Sequence, residues 1–363
     1  MKQSVVNGLK FLLFVGLGFG ILYLVYYYQQ TAYLEDCALR GIPEAECSLV
    51  DKVIADFRGA NFWWLGLTLV AFSVSNLSRA IRWNMMLRTF GSTPRLINAF
   101  LTINLGYFAN LGFPRLGEIA RPAAMARYEN ISLERVIGTV VVGRMVDVIS
   151  LLLLTALGLY LGRETLWNWL LENASLGDRI GGLQNLIIIG GVLGLLGLAL
   201  VWWQRKRIAA TPIGGKIFGI INGFVEGMRT IGKVESPALF ILHSINIWAM
   251  YFLMTYFVFL AFEPTAGLGL VAALVTFVAG GWGIVVPSPG GMGSYHFMTQ
   301  NALELYGVPG QDGFSWANIA FFSINIGCNV LIGLIALLVL PRINRHYHPL
   351  PPGTEAAPGE VLN

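Results

Sequence analysis

Long apolar runs alternate with short polar ones along most of this chain. The segments 8–28, 62–78, 136–162, 185–203, 238–262 and 314–340 are each long and apolar enough to be helices crossing a bilayer. The hydrocarbon core is about 30 Å thick and a helix rises about 1.5 Å per residue, so about 20 such residues suffice. Two further apolar stretches, 96–113 and 267–287, are broken by glycine and proline and predict something other than straight spans. The first run follows Lys2 and Lys10 as a signal peptide would. It is too long for one, and Tyr26-Tyr27-Tyr28-Gln29-Gln30 offers no small-residue cleavage site, so a retained anchor is expected.

Composition turns this pattern into a class. Hydrophobic residues fill 55% of 363 positions and charged residues 12%, with mean hydropathy +0.64. No water-soluble core needs that balance, so the expected fold is an all-α polytopic membrane protein. Basic residues set its orientation, because Lys and Arg near spans stay on the cytoplasmic side. With the N-terminus inside, Arg82, Arg88, Arg95, Arg127, Arg135, Arg205, Lys206, Arg207, Lys216, Arg229, Lys233, Arg342 and Arg345 lie inside, against Arg40, Lys52, Arg58, Arg163 and Arg179 outside. Both termini are then cytoplasmic, in an inner or plasma membrane. Trp63, Trp64, Trp167, Trp169 and Trp316 fall near the outer interface and Trp83, Trp202 and Trp203 near the inner one. The net charge of +4 reflects orientation and anionic-lipid contact rather than nucleic-acid binding.

The broken stretches share a plan. Residues 96–130 begin apolar, meet Gly112-Phe113-Pro114 and continue with Pro122. Both prolines are expected to interrupt helical hydrogen bonding, and backbone freed at membrane depth needs protein or a water-filled cavity around it. A re-entrant hairpin from the cytoplasmic side fits. Residues 267–305 repeat the plan around Gly280-Gly281-Trp282-Gly283 and Pro287-Ser288-Pro289-Gly290-Gly291-Met292-Gly293, opening outward. The halves 62–162 and 238–341 therefore read as inverted copies, giving about six full spans plus two hairpins in one membrane domain, 1–345. The alternative is that each hairpin is a plug in a helical bundle. Between the halves, 211–233 places Ile213, Ile217, Ile220, Phe224, Met228 and Ile231 on one face, as an interfacial helix does. The tail 346–363 carries four prolines and is expected to be disordered.

Charge inside the apolar segments points to chemistry. Arg115, Glu118 and Arg121 sit at the break of the first hairpin, and Arg144 and Asp147 inside the span 136–162. An ionised group at the bilayer centre costs about 2.5–3.5 kcal/mol on insertion scales, so such groups pair, face a cavity or serve function. Arg144 and Asp147, three apart, can pair locally, and Glu118 can pair with Arg115, Arg121 or Arg144. Three arginines against two carboxylates leave positive charge that an anion such as phosphate would complete; the alternative is a closed internal network. Arg79 and Arg82 are expected to snorkel to the inner interface, the alternative being that they line the site. The turn 287–293 could aim amides at an anion, and His296 beside it is either proton-sensitive or a packing residue. Glu304 reads as a solvated helix end and Cys328 as a packing residue.

Cys37 and Cys47 share the external loop 29–60, where an oxidising compartment would favour a disulfide over two free thiols. His243, His296, His346 and His348 have no metal-ligand spacing, and neither a Walker motif nor a catalytic triad is present. No cofactor, no metal and no enzymatic activity are expected.

The runs Arg115-Leu-Gly-Glu118-Ile-Ala-Arg121, Gly143-Arg144-Met-Val-Asp147 and Pro287-Ser-Pro-Gly-Gly-Met-Gly293, in this order, resemble the lysylphosphatidylglycerol synthase transmembrane region, a flippase-like family. The likeness runs from about residue 10 to 341. It implies a lipid translocase fold that moves aminoacylated phosphatidylglycerol from the cytoplasmic to the outer leaflet, lined by Arg115, Glu118, Arg121, Arg144 and Asp147; the residues themselves add Pro287, Pro289, Gly290, Gly291, Gly293 and His296 at the second turn as candidate substrate contacts. Two departures bear on the cargo. No soluble aminoacyl-transferase domain follows the last span, and Tyr295-His296 stands where many members have glutamate. The expected function is movement of an anionic or aminoacylated phospholipid between leaflets, with a membrane phospholipid or other anionic lipid as partner. Alternatives are polyprenyl-linked glycan handling, a lipid-phosphate transferase using Glu118 or Asp147 as base, and a non-catalytic accessory subunit.

Overall fold

The computed structural model describes residues 2–112, 116–172, 232–286, 288 and 291–347. Among them every regular element is helical. α1 (Lys2–Leu39) and α2 (Leu49–Gly59) precede the first half, made of α3 (Phe62–Arg88), α4 (Leu96–Gly112), α5 (Leu116–Glu129), α6 (Leu133–Leu161) and α7 (Arg163–Glu172). The second half holds α8 (Pro237–Ala261), one helical turn at Glu263–Ala266, α9 (Leu270–Val285), α10 (Ser294–Glu304), α11 (Gly310–Ala320) and α12 (Asn329–Ile343). α11 and α12 are joined through a π-helical stretch, Phe321–Cys328.

Four helical stretches are long and apolar enough to cross a membrane: α3, α6, α8 and the continuous Gly310–Ile343. They match four of the six predicted spans, though α3 reaches ten residues beyond the expected 62–78. The predicted span 8–28 falls within α1, whereas 185–203 lies outside the described residues. So does the expected interfacial helix up to residue 231. α6 leaves Ile137, Val141, Val148, Leu152 and Leu153 exposed, the outward apolar face that lipid solvates.

Local sequence explains the ends. Asn61 caps α3 by accepting from the Trp63 amide at 3.0 Å, and Ser236 caps α8 just before Pro237, whose missing N–H costs nothing at a helix start. Pro122 corrects an expectation. It lies buried inside α5 without ending it, so α5 runs unbroken from Leu116 to Glu129.

Glycine sets how closely the hairpins close. A methyl group on Gly117 of α5 would fall 2.0 Å from the Gly106 carbonyl oxygen of α4, and one on Gly283 of α9 would fall 2.8 Å from Tyr295 Cα of α10. Each hairpin is thus packed backbone against backbone. α3 and α8 pack along one another at the centre, α6 runs beside α9, and α12 runs beside α4, where Phe108 fills the space a Gly333 side chain would need.

Two clasps hold the ends. Outside the spans, Cys37 and Cys47 form a disulfide, Gln30 bonds both the Cys47 carbonyl and the Leu49 amide at 2.8 Å, and Lys52 lies 2.6 Å from Asp56 and from Asp312. Burial disfavours the Lys52 charge, but the two carboxylates more than offset it and raise its pKa above the ordinary 10.5. At the opposite end Glu129, 5% exposed, accepts from Asn98 Nδ2 (2.6 Å), the Arg95 amide (3.1 Å) and the Tyr347 hydroxyl (3.0 Å). Tyr347, assigned by sequence to a disordered tail, is docked there, with the Arg95 guanidinium 4.5 Å above its ring. The rest of that tail, from 348, lies outside the described residues.

Two tryptophans also depart from expectation. Trp316 is fully buried against Phe259 (5.2 Å between ring centroids), and Trp83 is 1% exposed. Neither can anchor an interface, because their rings pack in cores built by neighbouring helices. Cys328 is buried beside Ala71, Phe72, Met254 and Ile332.

Candidate functional site

Midway along α3 the apolar pattern gives way to Ser75, Asn76, Ser78, Arg79 and Arg82, all buried. Arg79, Arg82, Trp83 and Met86 recur at three- and four-residue spacing, so they share one face of α3. On α6, Thr139, Gly143 and Asp147 do the same, and the two faces meet around a cavity of about 10 Å³ that Arg121 and Arg144 also line. Glycine at 143 leaves room for Arg82, whose Nη2 would lie 3.9 Å from a methyl group there.

Asp147 takes both arginines of α3. Its Oδ2 accepts from Arg79 Nη1 at 2.6 Å and its Oδ1 from Arg82 Nη2 at 2.8 Å. α8 adds one acceptor to each guanidinium group: Arg79 donates to the Tyr251 hydroxyl (3.1 Å) and Arg82 to Ser244 Oγ (3.2 Å). Tyr251 in turn lies 3.5 Å from the Tyr107 hydroxyl of α4. The network therefore ties α3, α6, α8 and the first hairpin together.

Two expectations are corrected here. Arg79 and Arg82 do not snorkel to the interface, because Asp147 and the polar groups of α8 hold them inside the bundle. Asp147 does not pair with Arg144 along α6. The i, i+3 spacing permits that pair, but two guanidinium groups from α3 offer Asp147 one partner per oxygen. Arg144 instead pairs with Glu118 of α5, one of the partners the sequence allowed, and this pair is much more exposed than the Asp147 bridges.

Arg121 has no carboxylate within 4 Å among the described residues. Its guanidinium lies 4.0 Å from the ring centroid of Trp83, a cation–π contact, and the indole N–H donates to Thr139 Oγ1 at 2.8 Å, which fixes the ring. Among the described residues, four guanidinium groups thus share this cluster with two carboxylates.

Arg115, Pro287, Pro289 and Gly290 lie outside the described residues. Gly291 and Gly293 adopt φ of +82° and +83°, which suits glycine, and build the entry to α10. Ser294 Oγ ties this turn to the carbonyls of Gly283 (2.7 Å) and Gly291 (3.1 Å). His296 is 1% exposed among Tyr295, Phe314 and Phe321, and its Nδ1 accepts from the Gly293 amide at 3.4 Å. It does not line the arginine cavity. Glu304 is exposed and accepts from Gln300 at 3.1 Å.

Sequence reading missed Trp83, Tyr107 and Tyr251 as members of the cluster and gave Arg79 and Arg82 only as an alternative. The available signal was the polar run Ser75-Asn76-Ser78-Arg79-Arg82, which falls at and past the end of the predicted span 62–78 but midway along the longer helix α3.

Helices with lipid-facing apolar surfaces around a buried guanidinium–carboxylate network define a multi-pass membrane protein with charge stored inside the bundle. The chain belongs to the family described as lysylphosphatidylglycerol synthase TM region, whose profile matches residues 48–333, most of its length. Membership relates it to lipid handling. Comparisons with curated proteins and with solved structures returned no match.

Proposed function

We propose that this protein is a lipid flippase-like carrier that moves an anionic or aminoacylated phospholipid between leaflets of a bacterial inner membrane, without enzymatic activity and with both termini cytoplasmic. The observation that carries the reading is Arg121, a guanidinium inside the helical bundle with no carboxylate partner among the described residues, beside Arg79, Arg82 and Arg144. A headgroup phosphate would meet charge-assisted donors there, and buried charge of this kind marks substrate pathways in membrane proteins.

The two helical hairpins are read as re-entrant and the halves as inverted repeats. Supporting this is a reciprocal packing pattern: α3 lies against its counterpart α8, while α6 lies against the second hairpin as α12 lies against the first. In such repeats each hairpin opens to one side in turn, with the site between them. For the transferase reading, the geometry removes Asp147 as a base, because both of its oxygens are committed to arginines, and leaves Glu118.

The test is gentle purification followed by mass spectrometry of co-purifying lipids, comparing the natural chain with an Arg121→Ala/Arg144→Ala variant. One anionic lipid enriched with the natural chain and lost from the folded variant is the expected result. Identical lipid profiles would overturn the proposal.

A further inference from the structure

We propose that Asp147 is an internal counter-anion occupying a phosphate cradle formed by Arg79, Arg82 and Arg121, and that the group displacing it carries two negative charges. The inference rests on the lipid reading above and narrows it to lipids ending in a phosphate monoester or a diphosphate.

Geometry makes the first part of the argument. Asp147 presents one oxygen to each of two guanidinium groups, at 2.6 and 2.8 Å, which is how two oxygens of a phosphate bridge a pair of arginines. The remaining cavity of about 10 Å³ is room for roughly one water molecule. A phosphate that takes both Arg79 and Arg82 takes the place of Asp147. The carboxylate keeps a partner on leaving, because Arg144 lies three residues earlier on the same helix and its present partner pair is the more exposed one.

Unused donors make the second part. The Nε–H groups of Arg79, Arg82 and Arg121 are all buried without an acceptor among the described residues, and Arg82 and Arg79 are 1% and 5% exposed. Buried donors are nearly always satisfied, so three unpaired donors on arginines that line one cavity leave hydrogen-bonding capacity unused there. One carboxylate cannot serve three guanidinium groups, whereas a phosphate brings three or four oxygens.

Charge decides the class. Four guanidinium groups against Glu118 and Asp147 leave two positive charges uncompensated among the described residues. A phosphate monoester carries about −1.5 to −2 near neutral pH and closes that difference, as a diphosphate does. A diester carries one charge, and an aminoacylated diester adds a cation.

Isothermal titration of the full chain in detergent tests this with three probes: short-chain phosphatidic acid, short-chain phosphatidylglycerol and inorganic phosphate. The natural chain should bind the monoester about tenfold or more tighter than the diester, a difference of one charge contact. Asp147→Asn should tighten both lipids about tenfold by removing the competitor, and Arg121→Gln should weaken both by a similar factor. Should Asp147→Asn fail to fold, the charge-balanced Asp147→Asn/Arg82→Gln variant replaces it. It should bind the diester at least as well as the natural chain despite losing an arginine.

Weaker lipid binding by Arg121→Gln together with unchanged or weaker binding by Asp147→Asn, or with weaker binding by Asp147→Asn/Arg82→Gln, would overturn the counter-anion and leave the lipid reading standing. Equal affinity for diester and monoester would overturn the doubly charged class. Inorganic phosphate binding as tightly as the monoester lipid would support the cradle and assign it to a free anion, whereas no binding of any probe would sink both readings.

Discussion

Gly117→Ala puts a methyl carbon 2.0 Å from the Gly106 carbonyl oxygen and 2.8 Å from Asn110 Oδ1. Ordinary contact begins at 3.4 Å, so α5 must retreat from α4 by about 1.4 Å, because the obstructing atom is backbone and cannot rotate away. Retreat also stretches the hydrogen bond from the Gly117 amide to Asn110 Oδ1, now 2.7 Å. Overpacking costs about 1–3 kcal/mol and a lost hydrogen bond about 1, so a total near 3 kcal/mol is expected. At roughly 2–4 °C per kcal/mol, the unfolding midpoint should fall by about 6–12 °C. The same shift moves Glu118 from Arg144 and Arg121 from the Trp83 face, so binding of a phosphate lipid should weaken even in protein that remains folded. Scanning fluorimetry of the detergent-purified chain reads the first effect and titration with short-chain phosphatidic acid the second. Gly138→Ala is the control: nothing lies within 4 Å of its methyl position on α6, and alanine there should be neutral or stabilising by up to about 1 kcal/mol. A Gly117→Ala chain with unchanged midpoint and unchanged titration would refute the close-packed first hairpin.

Two more outcomes follow from the clasps. Cys37→Ser/Cys47→Ser opens a short loop with a sequence separation of 10 and should cost about 2–3 kcal/mol, measured as a lower midpoint that a reducing agent reproduces in the natural chain. Burial holds the Glu129 carboxyl above its ordinary 4.5 despite the hydrogen bonds from Asn98, Tyr347 and Arg95, which favour the charge. A raised carboxylate pKa means the folded chain holds this proton more tightly, so the contribution is full below 4.5 and lost as pH rises through the folded value. Glu129→Gln should flatten the midpoint-against-pH curve from 4.5 upward, and an unchanged curve would show that Glu129 is not its source.

Much of the fold was legible in the chain because the bilayer constrains it so strongly. Apolar length located α3, α6, α8 and the Gly310–Ile343 helix within a few residues at most ends, and the glycine at 112 marked the end of α4. Proline was a less reliable sign, since Pro122 sits within a continuous α5. The site was legible in part. Glu118, Arg121, Arg144 and Asp147 stood out as charges in apolar surroundings, and all four reach one cluster. Trp83 and Trp316 were read as belt residues because an indole near a predicted span end is compatible with both lipid interface and core, and only the neighbouring helices distinguish them.

By itself, then, the sequence determined that this is a helical membrane protein of the lysylphosphatidylglycerol synthase TM family with charges at depth, because hydropathy, break positions and motif order are local properties of the chain. Which charges meet was decided by tertiary structure alone. Asp147 could have paired with Arg144 on its own helix. Instead the packing of α3 against α6 and α8 gives it Arg79 and Arg82, leaves Glu118 to Arg144 and leaves Arg121 resting on Trp83. Partner choice among buried ions depends on which helix faces come together and how many donors each oxygen can reach, and spacing along one helix carries neither quantity.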